Sequence, residues 1–207
     1  MAFISDPSFH TLHVTRLRGR APIDSVRAAV GRDDVLQLLR RLAAVGHVEY
    51  HTGRVSGWGP TPDGREAHAA LLAAEREAAG VQAELRCAYD SFVAVNDELV
   101  AACSAHQMRD DGSLKDHTDA AYDRVVVERL GAVHDQALPI CTALSSAMSR
   151  FANYGHRLRR ALDGVRAGEH EWFTSLVLDS YHTVWFELHE DLLRTLGLER
   201  ASEIAAR

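Results

Sequence analysis

The stretch "HVEYHTGRVSGWGPT", residues 47–61, constrains this chain more than any other. Apolar and polar residues alternate on both sides of Thr52-Gly53, the pattern of two short strands, about 47–51 and 55–59, joined by a tight turn. The surrounding sequence reads as helix, so the fold is set by which helices precede and follow one hairpin.

Three short helices are expected before it. Asp6-Pro7 reads as an N-cap with proline in the first turn, followed by Phe9, Leu12 and Leu17 and ended by Gly19. "APIDSVRAAVG" gives a second helix, capped by Asp24 and stopped by Gly31. "DDVLQLLRRLAAVG" gives a third, with Asp33 as cap and Val35, Leu38, Leu39 and Leu42 on its apolar side. After the hairpin, "TPDGREAHAALLAAEREAA" begins a long helix.

Helix, helix, helix, hairpin, helix is the order of a winged helix-turn-helix. Residues 33–66 resemble the recognition helix, wing and following helix of MarR- and PadR-type bacterial regulators. The residues that carry the resemblance are Leu42, Gly46, Val48, Arg54, Thr61, Gly64 and Arg65. It covers about the first 80 residues and rests on the ordered set, since each element alone is common. The resemblance implies that the third helix enters the major groove of double-stranded DNA. Gln37, Arg40 and Arg41, with Asp34, would then face the DNA, glutamine reading adenine and arginine reading guanine or holding phosphate. Arg54 at the wing tip would reach a phosphate or the minor groove, and Arg16, Arg18 and Arg20 would add positive charge. Asp33 and Asp34 would repel phosphates, and Pro60 stands where leucine is usual. A winged helix that docks on a partner enzyme instead of DNA is therefore the second expectation.

Charge divides the chain the same way. Residues 1–80 carry +1 and residues 81–207 carry −7, so only the first part suits a polyanion. No apolar run approaches the ~20 residues needed to span a bilayer, and the start lacks a secretory pattern, so a cytoplasmic protein without membrane attachment is expected. The three cysteines, Cys87, Cys103 and Cys141, form no C-x-x-C and read as buried reduced thiols. One lysine against 22 arginines, among many alanines, suggests a GC-rich bacterial genome.

Residues 80–207 read as an all-α bundle serving sensing and dimerisation, after a winged-helix unit at 1–79. Helices are expected at about 81–107, 116–136, from Pro139 to a break at "NYG", 156–163 and 170–196. On helical wheels, polar residues fall inside the apolar arcs: Tyr89, Asn96 and His106; Asp119 and Asp123; His182 and His189 beside Trp185. Asp179, Glu187, Glu190 and Asp191 fall on the opposite, solvated side. Buried polar groups need partners, so an Asp–His network or a small-molecule effector pocket is expected there, walled by Tyr89, Trp185 and Phe186. His182 and His189 lie about 10 Å apart along one helix and cannot share an ion. A metal site would need one of them with Asp119, Asp123 or His106, and no familiar ligand spacing supports it. No phosphate loop or nucleophile motif points to an enzyme. The expected protein is a ligand-responsive, homodimeric transcriptional regulator without a fixed cofactor.

Overall fold

A computed structural model describes residues 1–53, 55–108 and 112–198. The described chain is mainly helical with one two-stranded antiparallel sheet. The helices α1 (Pro7–Arg18), α2 (Ile23–Val30) and α3 (Val35–Ala44) precede the strands β1 (Val48–His51) and β2 (Gly57–Pro60), and α4 (Pro62–Ala79) follows. The remainder is α5 (Gln82–Gln107), α6 (Ala120–Ala147), a 3₁₀ turn at Ser149–Phe151, α7 (Ala152–Arg166), α8 (Glu171–Thr174) and α9 (Tyr181–Leu196).

The first core is small. Leu12 and Val14 of α1, Val26, Ala29 and Val30 of α2, and Val35, Leu39 and Leu42 of α3 bury one another together with Val48. A two-stranded hairpin is marginal alone. Here β2 gains a second neighbour, because Ala21 exchanges two backbone hydrogen bonds with Trp58 (3.0 and 2.9 Å). The residues of the family resemblance hold the joint between hairpin and α4. Thr61 caps α4 by accepting from the Gly64 N–H (2.9 Å) and donates its own hydroxyl proton to the Gly46 carbonyl (2.5 Å). Gly64 is glycine for want of space: a Cβ there would sit 1.8 Å from the His47 carbonyl oxygen.

The second, larger core lies between α5, α6, α7 and α9, around Phe92, Leu130, Leu144, Phe151, Leu158, Tyr181 and Leu188. Cys103 and Cys141 are buried as expected, which pushes their thiols up to about 12 and about 11, whereas Cys87 is exposed.

Several expected boundaries move. Asp6 caps α1 and Gly19 ends it, as read from the sequence. The α2 cap is Pro22, with Asp24 inside the first turn. Asp34, not Asp33, occupies the α3 cap position, and its carboxylate bonds elsewhere. Pro139 starts no helix; α6 runs through it without interruption. Pro139 and Asp135 both lie on the solvent side, so the carbonyl that loses its N–H partner faces water. The "NYG" break is absent, and α7 continues through it. The single helix expected at 170–196 is instead α8, a turn, and α9, which Ser180 caps through the Thr183 N–H (3.2 Å).

Candidate nucleic-acid interface

One side of α3 is buried and the other is open. Val35, Leu39 and Leu42 face the first core, Leu38 is also buried, and Gln37, Arg40 and Arg41 are exposed. Positions 37, 40, 41 and 44 follow the i, i+3, i+4, i+7 rule, so the polar groups form one stripe. No acidic residue lies between Val35 and Ala44. At the start of the helix, Arg32 clamps Asp34 with two bonds, Nε to Oδ1 (2.8 Å) and Nη2 to Oδ2 (2.9 Å). That pairing holds the Asp34 carboxyl below its usual range and offsets the charge of one of the two acids at this end of the helix. In the hairpin, Tyr50 is exposed and meets Trp58 edge-on, 5.5 Å between ring centres. Arg54, the expected wing-tip contact, lies outside the described residues.

The arginines of α1 depart from expectation. Arg18 is committed inside the chain: it donates to Asp179 Oδ1 (2.8 Å) and Glu187 Oε2 (2.8 Å), and also to Ser25. It has no guanidinium face left for a phosphate. Arg16 is half-buried, and burial, with repulsion from Arg194 and Arg65, lowers its pKa. Arg20 is exposed.

Arg18 belongs to a buried polar seam that joins α1 and α4 to α7 and α9. Arg157 makes a two-point bond to Glu187 (2.7 and 3.0 Å) and a third bond to Asp179 (2.9 Å). Seven residues earlier, Arg150 is fully enclosed. It donates to Glu75 of α4 (2.9 Å), to Thr195 (2.5 Å) and to Asp191 of α9. Asp191 also accepts from Tyr154 (3.0 Å) and pairs with His13 of α1 (3.0 Å), whose other ring nitrogen meets His68 Nε2 at 2.8 Å. Burial alone would raise the Asp191 carboxyl, but Arg150 and His13 outweigh it and hold the group well below the usual range. Burial likewise keeps His68 and His10 neutral, lowering each to about 3. The sequence reading placed Glu187, Asp191 and Asp179 on a solvated side; all three instead serve the seam. A wheel of α9 alone gives no sign of this, since α1 and α4 cover what would otherwise be its outer side. Arg150 sits in the 3₁₀ turn and Arg157 in α7, so no single helical period links the two arginines in the sequence.

The expected effector pocket divides into three unconnected environments. Tyr89, Asn96, Trp185 and His189 meet across α5 and α9, but they fill one another's space. Trp185 donates to Asn96 (3.1 Å) and stacks on Phe92 at 4.3 Å, and His189 lies against Phe92 (5.0 Å) and Tyr89 (6.3 Å). His182 is half-buried with Nδ1 unpartnered among the described residues, and burial lowers its pKa. Asp119 is exposed and caps α6 through the Ala121 and Tyr122 N–H groups (3.1 and 3.0 Å). The wheel placed it inside because it was extended past the true start of α6. Asp123 pairs with Lys115 and His117, not with His182 or His189. His106 is buried at the far end of α5, stacked on Phe173 at 4.2 Å and beside His117 and His170. Asp123 lines a cleft beside His117 and His170, and Phe186 lines a separate one against α1 and the hairpin, so the expected set does not share a cleft. No described helix is long and apolar enough to cross a membrane.

No family model matches this chain, and no curated protein or solved structure matches it.

Proposed function

We propose that the protein is a DNA-binding transcriptional regulator whose α3 docks in the major groove as a homodimer on paired half-sites. One observation carries this: α3 buries its whole apolar side and presents Gln37, Arg40 and Arg41, without an acidic neighbour on the helix, to solvent. The order of α1 to α4 around one hairpin supports it, as does the Ala21–Trp58 pairing that fixes the hairpin beside α1. No effector pocket enters this reading, because Tyr89, Asn96, Trp185 and His189 pack against one another and Phe92.

The test is retention of fragmented DNA from the native genome, followed by a salt titration on a retained fragment. Counterion release makes affinity fall with salt by a logarithmic slope of about 0.9 per phosphate contact. Arg40→Ala and Arg41→Ala should weaken binding and reduce that slope by up to about one each, or relax base preference where the arginine reads guanine. Being exposed, neither should shift stability by more than about 0.5 kcal/mol. Unchanged affinity in the double variant sinks the proposal.

The second reading is a protein-docking winged helix. Asp33 and Asp34 at the α3 start and the −7 charge of residues 81–207 favour it. Absence of any retained fragment from a folded dimer, with a partner enzyme recovered by pull-down, would select it.

A further inference from the structure

Three histidines far apart in sequence converge at one end of the helical core. His106 ends α5, His117 lies in the loop before α6, and His170 lies in the turn before α8. One ring nitrogen from each lies within 4.8 Å of those of the other two. The rings of His117 and His170 stand 4.1 Å apart, and those of His106 and His117 4.7 Å apart.

Three independent features separate this cluster from ordinary packing. First, His106 is 6% exposed, yet both ring nitrogens are buried without a partner among the described residues. A neutral imidazole has one donor and one acceptor, and leaving them unmet costs on the order of 1–3 kcal/mol each. Second, His117 has φ of +54°, the only positive value among described residues other than glycine. A side chain is held in that region only where its surroundings impose it, and such sites concentrate at functional positions. Third, Asp123 Oδ1 lies 3.3 Å from His117 Nδ1 and is itself anchored by Lys115. A carboxylate on one ring nitrogen orients the other toward a metal, the usual outer support of a ligating histidine.

We propose that His106, His117 and His170 bind one divalent metal ion of the zinc class. Tetrahedral zinc with Zn–N bonds of about 2.0–2.1 Å separates its nitrogens by roughly 3.3 Å, so small ring rotations close the trio. Imidazole donors suit zinc, copper, nickel or iron rather than calcium or magnesium. A cleft of about 480 Å³, lined by His117, Asp123 and His170 with Arg124 and Arg166, opens beside the trio. The fourth coordination position faces water or a small anion there. The site is independent of DNA binding and is tested without DNA.

The experiment uses the full chain, stripped with a chelator and titrated separately with Zn²⁺ and Co²⁺. Calorimetry should give one ion per chain, Co²⁺ should develop visible absorption of four-coordinate character, and Zn²⁺ should raise the melting temperature. His106→Ala, His117→Ala and His170→Ala should each weaken binding by more than about 100-fold, and Asp123→Asn by about 10–100-fold. The exposed His156→Ala should bind as the parent does. His106→Ala risks unfolding, since the ring supports Phe173. His117→Gly guards against that: glycine accepts a positive φ, so this variant should fold without metal at least as stably as the parent and still fail to bind. No ion retained by the parent, or parent-like binding in His117→Gly and His170→Ala, overturns the proposal.

Discussion

Removing the Arg150 guanidinium would leave Glu75 enclosed without its cation and Asp191 with only His13 and Tyr154. Breaking a buried pair from one side costs about 3–5 kcal/mol, so Arg150→Met should lower the urea-unfolding free energy by that order. The exposed Arg27–Asp24 pair on α2 is the control: Arg27→Ala should change stability by no more than about 1 kcal/mol. Equal effects of the two would refute the central place given to Arg150. The neighbouring histidines give a second residue-level prediction. Folded His10 and His68 stay neutral to about pH 3, each held mainly by burial and then by the nearby His13. An unfolded histidine takes up its proton near pH 6.5. Between these values the unfolded chain binds more protons, so stability falls as pH drops from about 6.5 toward 3. Asp191, held low by Arg150, adds its own loss only below about pH 4. Urea midpoints should therefore decline already between pH 6.5 and 5, and His68→Gln should flatten part of that slope. A midpoint constant from pH 7 to 5 would contradict it.

At the scale of the element, the hairpin and its helical neighbours carry the sharpest prediction. Gly64 lets the first turn of α4 lie directly on the His47 carbonyl. The oxygen in the way belongs to backbone, so it cannot rotate aside. Gly64→Ala must push α4 off the hairpin and should cost at least about 1–3 kcal/mol, readable by thermal unfolding. Substitution at Gly19, where a Cβ would meet nothing within 4 Å, tests the opposite case: there only the left-handed φ of +72° penalises alanine.

The same scale shows what was legible in the sequence and what was not. Elements whose signals are local came through: the Asp6 cap, the apolar side of α3, both strands and the helix that begins at Thr61-Pro62. Pro139 misled because the rule against internal proline ignores where the missing bond points, and here it points to water. Asp119 and Asp191 misled in opposite ways, since a wheel knows neither where a helix begins nor how many neighbours surround it. His106 was recognised as buried. Its companions His117 and His170 were not: the helices expected at 116–136 and 170–196 run over both, whereas α6 begins only at Ala120 and α8 at Glu171, and a helical wheel gives no direction for a residue outside the helix.

For the whole molecule, the seam makes one body of what the sequence divides at residue 79. Glu75, His13 and Arg18 from the first part complete the bonding of Arg150, Asp191 and Glu187 from the second. Asn153 of α7 adds bonds to the Ala28 and Ala29 carbonyls, and Phe3 exchanges backbone bonds with Ala147 and Ser149 (2.9 Å each). Unfolding should therefore be a single transition. A chain retaining only Trp58, in the hairpin, and one retaining only Trp185, in α9, should report the same urea midpoint once each is corrected for its own stability change. Two separated midpoints would show two independent domains.

The position of Arg150 along the chain also bears on how the protein is made. It follows Glu75 by 75 residues, and Asp191 follows it by another 41. As the polypeptide leaves the ribosome, the first four helices and the hairpin can form early, but Glu75 and His13 wait for partners not yet synthesised. The last lock closes only when α9 has emerged, so a nascent chain cut short before that helix cannot reach the finished arrangement.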